Sequence, residues 1–228
     1  MKINILCLYY DLMNLYGDTG NIKVLKYHLD ELNIKYTIDY KSIKDKLEIK
    51  KYDLILLGAS TEENRELCLK HLLKYKKDIK EYIENNKFFL ATGNSISMFG
   101  KILCNEKALN IFDFETERSK ERISKEVILE NNICKPIYGF MNHQDIIKNN
   151  KNYLFNEEGI KYKNFYGTQV LGPILSRNPE FLKYFLEELI KSKDKNFKLP
   201  KINTKLNEKA YNEFIEFKKT KVFNSHKA

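Results

Sequence analysis

Two short runs in this chain contain no polar residue: Leu54-Ile-Leu-Leu57 and Phe88-Phe-Leu-Ala91. Each is followed at once by a glycine-bearing turn, Gly58-Ala59-Ser60 and Thr92-Gly93-Asn94-Ser95. A strand with one wet face alternates polar and apolar residues, so a strand without alternation must be covered on both faces. Around these runs the pattern alternates. Residues 3–8 read as a strand, 22–32 as a helix, 35–39 as a second strand and 63–85 as a long helix. Ile96, Met98 and Phe99 open a further amphipathic helix after the second apolar run. This βαβαβαβ order predicts an α/β domain with a mostly parallel central sheet. Beyond it, residues 122–129, 137–140 and 164–170 look like strands with little helix between them. Helices over 179–191 and 208–219 follow. No internal repeat is present, and at 228 residues with 43% hydrophobic content the chain is long enough to bury one substantial core.

Charge and cysteine usage exclude several classes. The net charge of +9 comes from lysines scattered along the chain. Without a dense basic run there is no phosphate footprint, so no nucleic-acid partner is expected, only weak attraction to anionic partners or surfaces. No apolar run is long enough for stable membrane insertion, and residues 1–10 lead straight into Asp11 without a signal-peptide cleavage pattern. Cys7, Cys68, Cys104 and Cys134 are widely spaced and form no C-x-x-C pair, which reads as the reduced thiols of a cytoplasmic protein. No pair of histidines or carboxylates has metal-ligand spacing, so neither a metal nor another cofactor is expected.

In open α/β sheets the ligand lies at the carboxyl ends of the strands, where the loops 11–21, 58–63 and 92–97 should meet. A strand followed by a sharp turn and a helix projects one side chain above the sheet beside convergent backbone N–H groups, an arrangement suited to a nucleophile with an oxyanion hole. The sharpest position here is Gly93, which has no side chain to project. Ser95 is either a replacement nucleophile in a G-x-S-x setting or an N-cap of the helix near Ile96. Thr92 either reacts or satisfies local backbone groups, and Cys104 is either a core thiol or a displaced nucleophile. His28 and His71 lie in helical patterns without evident chemistry, and His226 is in the tail. His143 either faces the site or orders its own loop.

Three motifs carry a family resemblance. Asp11-Leu-Met-Asn-Leu-Tyr-Gly-Asp-Thr-Gly-Asn-Ile22 resembles the opening signature of the CobB/CobQ-type class I glutamine amidotransferases. Within them it is most similar to the GatD-type subunits of lipid II isoglutaminyl synthase. Tyr138-Gly-Phe-Met-Asn-His-Gln144 is similar to the family's Gly-Phe-x-Asn-His stretch. Tyr166-Gly-Thr-Gln-Val-Leu-Gly-Pro-Ile-Leu175 matches its Gly-Thr-x-x-His-Gly-Pro-Ile-Leu signature except at the His. The resemblance implies a flavodoxin-like three-layer sandwich as one domain over residues 1–220, with 221–228 as a flexible tail.

The resemblance also implies roles. Family members hydrolyse glutamine with an elbow Cys and a late-strand His, and pass ammonia to a Mur-ligase-like (MurT) subunit that amidates the D-glutamate of lipid II. Here the Cys position falls on Gly93, the His position on Leu171, and the Gln four residues past the Cys on Ser97. Arg122 falls on the substrate-binding arginine, and the oxyanion loop is reduced to Leu57-Gly58-Ala59-Ser60. The implied protein is a pseudoenzyme of a heterodimer in peptidoglycan synthesis, with glutamine or ammonia as its small-molecule partner. The alternatives are an amidohydrolase using Ser95 or Cys104, and a glutamine-sensing binding module.

Overall fold

The computed structural model describes residues 1–225 of the chain. Its main sheet has six strands: β1 (Lys2–Leu8), β2 (Lys35–Lys41), β3 (Leu54–Leu57), β4 (Phe88–Thr92), β9 (Ile160–Tyr162) and β10 (Phe165–Thr168). A second sheet holds β5 (Ile102–Leu103), β6 (Glu106–Lys107), β7 (Glu115–Leu129) and β8 (Ile137–Lys148). The main sheet runs β2-β1-β3-β4-β10-β9, with every neighbouring pair parallel except β10 and β9. The helices are α1 (Thr19–Glu31), α2 (Glu62–Leu72), α3 (Lys76–Glu84), α4 (Ile174–Arg177), α5 (Pro179–Lys191) and α6 (Lys205–Ser225).

The apolar runs explain the layers. Along β1, β3 and β4 alternate residues go to opposite sides: Ile3, Ile5, Leu54, Phe88 and Leu90 join one core, while Leu6, Leu8, Ile55, Leu57, Phe89 and Ala91 join the other. Leu25 and Leu29 of α1 and Phe181 and Phe185 of α5 cover the first face. Cys68 and Leu69 of α2 and Ile79 and Ile83 of α3 cover the second. Both faces being apolar, each fully buried Phe or Leu contributes about 1.5–3 kcal/mol, the physical reason the runs 54–57 and 88–91 contain no polar residue. The result is the mixed α/β, flavodoxin-like sandwich with a mostly parallel central sheet that the strand pattern predicts.

Four elements differ from the sequence reading. The helix expected over 63–85 breaks at a 3-10 turn, Leu73–Tyr75, between α2 and α3. No glycine or proline marks that break. The amphipathic helix expected after Ser95 is a 3-10 segment, Gly93–Phe99, whose seven residues are all buried. It is enclosed on every side, with Phe99 packed on Phe89 and Phe165 at ring separations of 5.1 and 4.8 Å, so it has no wet face to make it amphipathic. The strand expected from residue 122 begins at Glu115, because the first half of β7 is charged and mostly exposed and carries no apolar period. Finally, α6 runs through Ser225, into the segment assigned to a tail, while His226 lies outside the described residues.

Candidate active site

Gly93 follows directly on β4 and adopts φ +64°, the left-handed region in which only glycine is free of strain. This is an elbow: strand, one left-handed residue, then a helical turn. The space a side chain would occupy is already taken. A Cβ on Gly93 would lie 2.5 Å from the Ala59 Cβ and 2.7 Å from Leu171 Cδ2. The loop after β3 and the loop after β10 thus converge on the elbow, bringing Gly93, Ala59 and Leu171 together. Leu171 is fixed there by backbone bonds to Phe140 of β8, donating at 2.8 Å and accepting at 3.2 Å.

The N–H groups beside the elbow are committed. Ala59 N donates to Asp18 Oδ2, and Ser60 N donates to Asn94 Oδ1 at 3.0 Å while Asn94 Nδ2 returns a bond to the Ser60 carbonyl. Thr92 Oγ1 donates to Asp18 Oδ1 at 2.9 Å. One carboxylate therefore ties all three loops together. Burial pushes the Asp18 carboxyl up to about 6, against the Ala59 and Thr92 bonds that favour its charge. Gly58 makes room for it, because a Cβ there would lie 2.4 Å from the Met13 carbonyl and 2.7 Å from Asp18 Oδ2.

The replacement nucleophiles do not fit a reacting role. Ser95 is fully buried and its hydroxyl donates to the carbonyls of Thr92 and Leu57, at 2.7 and 3.3 Å. It caps no N–H group, which corrects the N-cap expectation, and it meets no base. Thr92 serves Asp18. Cys104 lies between β5 and β6 in the second sheet, where burial pushes its thiol up from the ordinary value. His28 pairs with Glu31, and His71 accepts or donates a bond with the Tyr9 hydroxyl.

A polar pocket of about 310 Å³ opens beside the closed corner, lined by Tyr16, Ser60, Glu62, Asn94, Arg122 and Asn142 among others. Arg122 Nη1 donates to Asn142 Oδ1 at 2.9 Å and Nη2 to Glu62 Oε1 at 3.0 Å, and Asn142 Nδ2 donates to the Tyr16 hydroxyl at 2.8 Å. Burial opposes the charge on Glu62, but its own backbone N–H and the Arg122 guanidinium outweigh it and hold the carboxyl below its usual range. His143 also lines the pocket. Its Nδ1 lies 2.8 Å from the Asp145 carbonyl, a distance that requires Nδ1–H to donate, and burial lowers its basicity. A neutral ring of that tautomer leaves Nε2 as an acceptor, and it is buried without a partner among the described residues.

Sequence reasoning missed the pair beneath this pocket. Arg65 of α2 is completely buried and its Nη1 donates to Asp145, which also accepts from Ser97 Oγ at 2.8 Å. The only available signal was an arginine on the apolar face of a helix. Ser97 therefore holds a carboxylate.

The sequence profile of the CobB/CobQ-like glutamine amidotransferase domain matches residues 4–179. The chain belongs to that family. It is 27% identical to the GatD subunit of the glutamine-hydrolysing lipid II isoglutaminyl synthase of Streptococcus pneumoniae, over 95% of this chain and 92% of that one. The same subunit from Staphylococcus aureus is 29% identical over 80% of this chain and 82% of its own. Among solved structures, a glutamine amidotransferase from Thermotoga maritima superposes with a TM-score of 0.54 over 92% of each chain at 18% identity. Another glutamine amidotransferase gives 0.56 over 81% of this chain and 97% of that one, at 15% identity. At these identities the structural likeness establishes the fold. Among the described residues of this family member, no helix is long and apolar enough to cross a membrane and no group of three or more His, Cys, Asp or Glu could hold a metal ion.

Proposed function

We propose that this chain is a GatD-like subunit that has lost glutaminase chemistry and acts with a Mur-ligase-like (MurT) partner in amidating a peptidoglycan precursor, lipid II. The observation that carries the reading is the filled corner. The elbow residue has no side chain, Leu171 cannot take a proton, and Ala59 N–H is bound to Asp18 instead of awaiting an oxyanion. Each loss removes a separate requirement of thiolate attack on an amide. The subunit's remaining role is to organise the partner and receive ammonia supplied from elsewhere. Half-exposed Leu15 and Tyr16 on the Asp11–Asn21 loop, together with the strands around 122–140, offer a surface for that partner. The test is co-expression with the Mur-ligase-like protein, size-exclusion chromatography of the pair, and lipid II amidation with glutamine or ammonium as nitrogen donor. Amidation with ammonium alone is expected; equal amidation from glutamine would overturn the reading.

A second reading has its own support in the polar pocket. Arg122 and Glu62 match the carboxylate and ammonium of a zwitterionic amino acid. On this reading the chain binds glutamine without turnover. Calorimetric binding of glutamine without ammonia release would support it, and absence of heat at millimolar glutamine would exclude it.

A further inference from the structure

The Asp11–Ile22 motif also lines a cleft that glutamine chemistry does not use. β2 lies on one side of β1 and β3 on the other, so the strand order reverses between β1 and β3. Loops leaving such a switch point part company and open a crevice at the carboxyl ends of the strands, where open α/β sheets bind ligands. Here the crevice is a cleft of about 100 Å³, walled by Cys7, Ile22, Leu56 and Leu90, with Tyr10 and Tyr40 meeting edge to face beside it. Gly93 does not line it.

Two polar side chains of the motif reach this apolar space. Asn21 is buried and its Oδ1 accepts from Leu175 N at 3.0 Å, but among the described residues no acceptor meets its Nδ2. Asp18 accepts one bond on each oxygen, from Thr92 and Ala59, and a carboxylate has further lone pairs for one more donor. The electrostatics exclude charged ligands. An anion would sit against Asp18, and a cation would lose its hydration in a hydrocarbon-walled cleft facing the positive end of α1. The size limits the occupant to one ring, because benzene fills an apolar cavity of about 150 Å³ and this cleft is smaller.

We propose that this cleft is a second ligand site, taking an uncharged, single-ring molecule that carries one hydroxyl, its ring on the leucine and isoleucine walls and its hydroxyl on Asn21 and Asp18. The site is independent of the amidotransferase reading and stands or falls without it.

Phenol, toluene and benzoate are suitable probes, titrated to about 10 mM against the full chain with labelled methyl groups and followed by NMR. Phenol is expected to give intermolecular NOEs from its ring protons to the methyls of Ile22, Leu56 and Leu90. Toluene should bind about tenfold more weakly for want of the hydroxyl bond, and benzoate should not bind. Leu56→Phe, which fills the cleft from a partly buried position, should abolish the NOEs, with Ile22→Phe as the second filler if the first melts early. The assignment of NOEs on the unaltered chain decides the question without either variant. Absence of shifts at these methyls, NOEs only to methyls elsewhere, equal affinity for toluene and phenol, or binding of benzoate would each overturn the proposal.

Discussion

Two regions at the carboxyl end of the sheet lie side by side and could hardly differ more. The corner made by Gly93, Ala59 and Leu171 is packed shut with hydrocarbon. The wall made by Tyr16, Glu62, Arg122 and Asn142 remains polar, open and internally hydrogen-bonded. They rest on different supports: the corner on the loops after β3, β4 and β10, the wall largely on the β7–β8 hairpin and the start of α2. The comparison teaches that a corner closed by hydrocarbon and a polar wall of paired charges can stand side by side at one end of this sheet.

The largest effect expected from breaking this contrast is catalytic. A nucleophile–base pair acting as a unit is worth about 10⁶ in kcat, so the unaltered protein should release ammonia from glutamine no faster than buffer. Gly93→Cys with Leu171→His should stay inactive, because the Ala59 Cβ lies 2.5 Å from the new Cβ. Adding Ala59→Gly should bring ammonia release above background in a coupled assay. Ammonia release by the unaltered chain, abolished by Ser95→Ala or Cys104→Ala, would instead mean that the closed corner is not where reaction occurs.

Next in size is the buried pair under the wall. Arg65→Met leaves Asp145 charged and buried with only the Ser97 hydroxyl, and should cost about 3–5 kcal/mol in urea unfolding. Arg65→Met with Asp145→Leu should recover most of that loss, since neither charge is then stranded.

A third effect separates the two regions by pH. Glu158, behind the corner, accepts from Gln169 N and Thr168 Oγ1, yet burial pushes its carboxyl up to about 7 from 4.5. The folded chain therefore holds this proton more tightly than the unfolded chain. Its contribution to stability is full below about 4.5 and declines as pH rises through 7, by about 3 kcal/mol in all. Asp18, pushed up to about 6, acts in the same direction at lower pH. Urea midpoints between pH 5 and 8 should fall in the unaltered chain and fall less in Glu158→Gln.

The smallest effect tests the wall alone. The Arg122–Glu62 pair is partly exposed, so Arg122→Ala should change stability by no more than about 1 kcal/mol. If the wall binds an amino acid, the same variant should weaken glutamine binding at least tenfold by calorimetry.

The central strands β3 and β4 were legible because burial on both faces writes itself as unbroken apolar runs, whereas the edge strand β9 went unread. Of the second sheet only 122–129 and 137–140 were legible, because the first half of β7 is held by backbone pairing to β8 and its side chains mostly face water. Of the candidate site, the elbow at Gly93 and its closeness to the Gly58 loop were readable from turn chemistry. What filled the corner was not, since the meeting of Ala59 with Leu171 depends on two loops 112 positions apart in the chain. Asp18 was likewise hidden: a polar residue in a loop motif gives no sign that it will be buried as the tie between three loops.

The crowding at position 93 also limits where this lineage can go. A mutation that puts any side chain on the elbow must displace Ala59, whose Cβ is not the end of a flexible chain and has nowhere to swing. Placing a reactive group there is thus a matter of several coordinated substitutions, the first of them at Ala59. The filled corner works as a ratchet, and descendants of this chain are expected to diversify along the polar wall and the switch-point cleft.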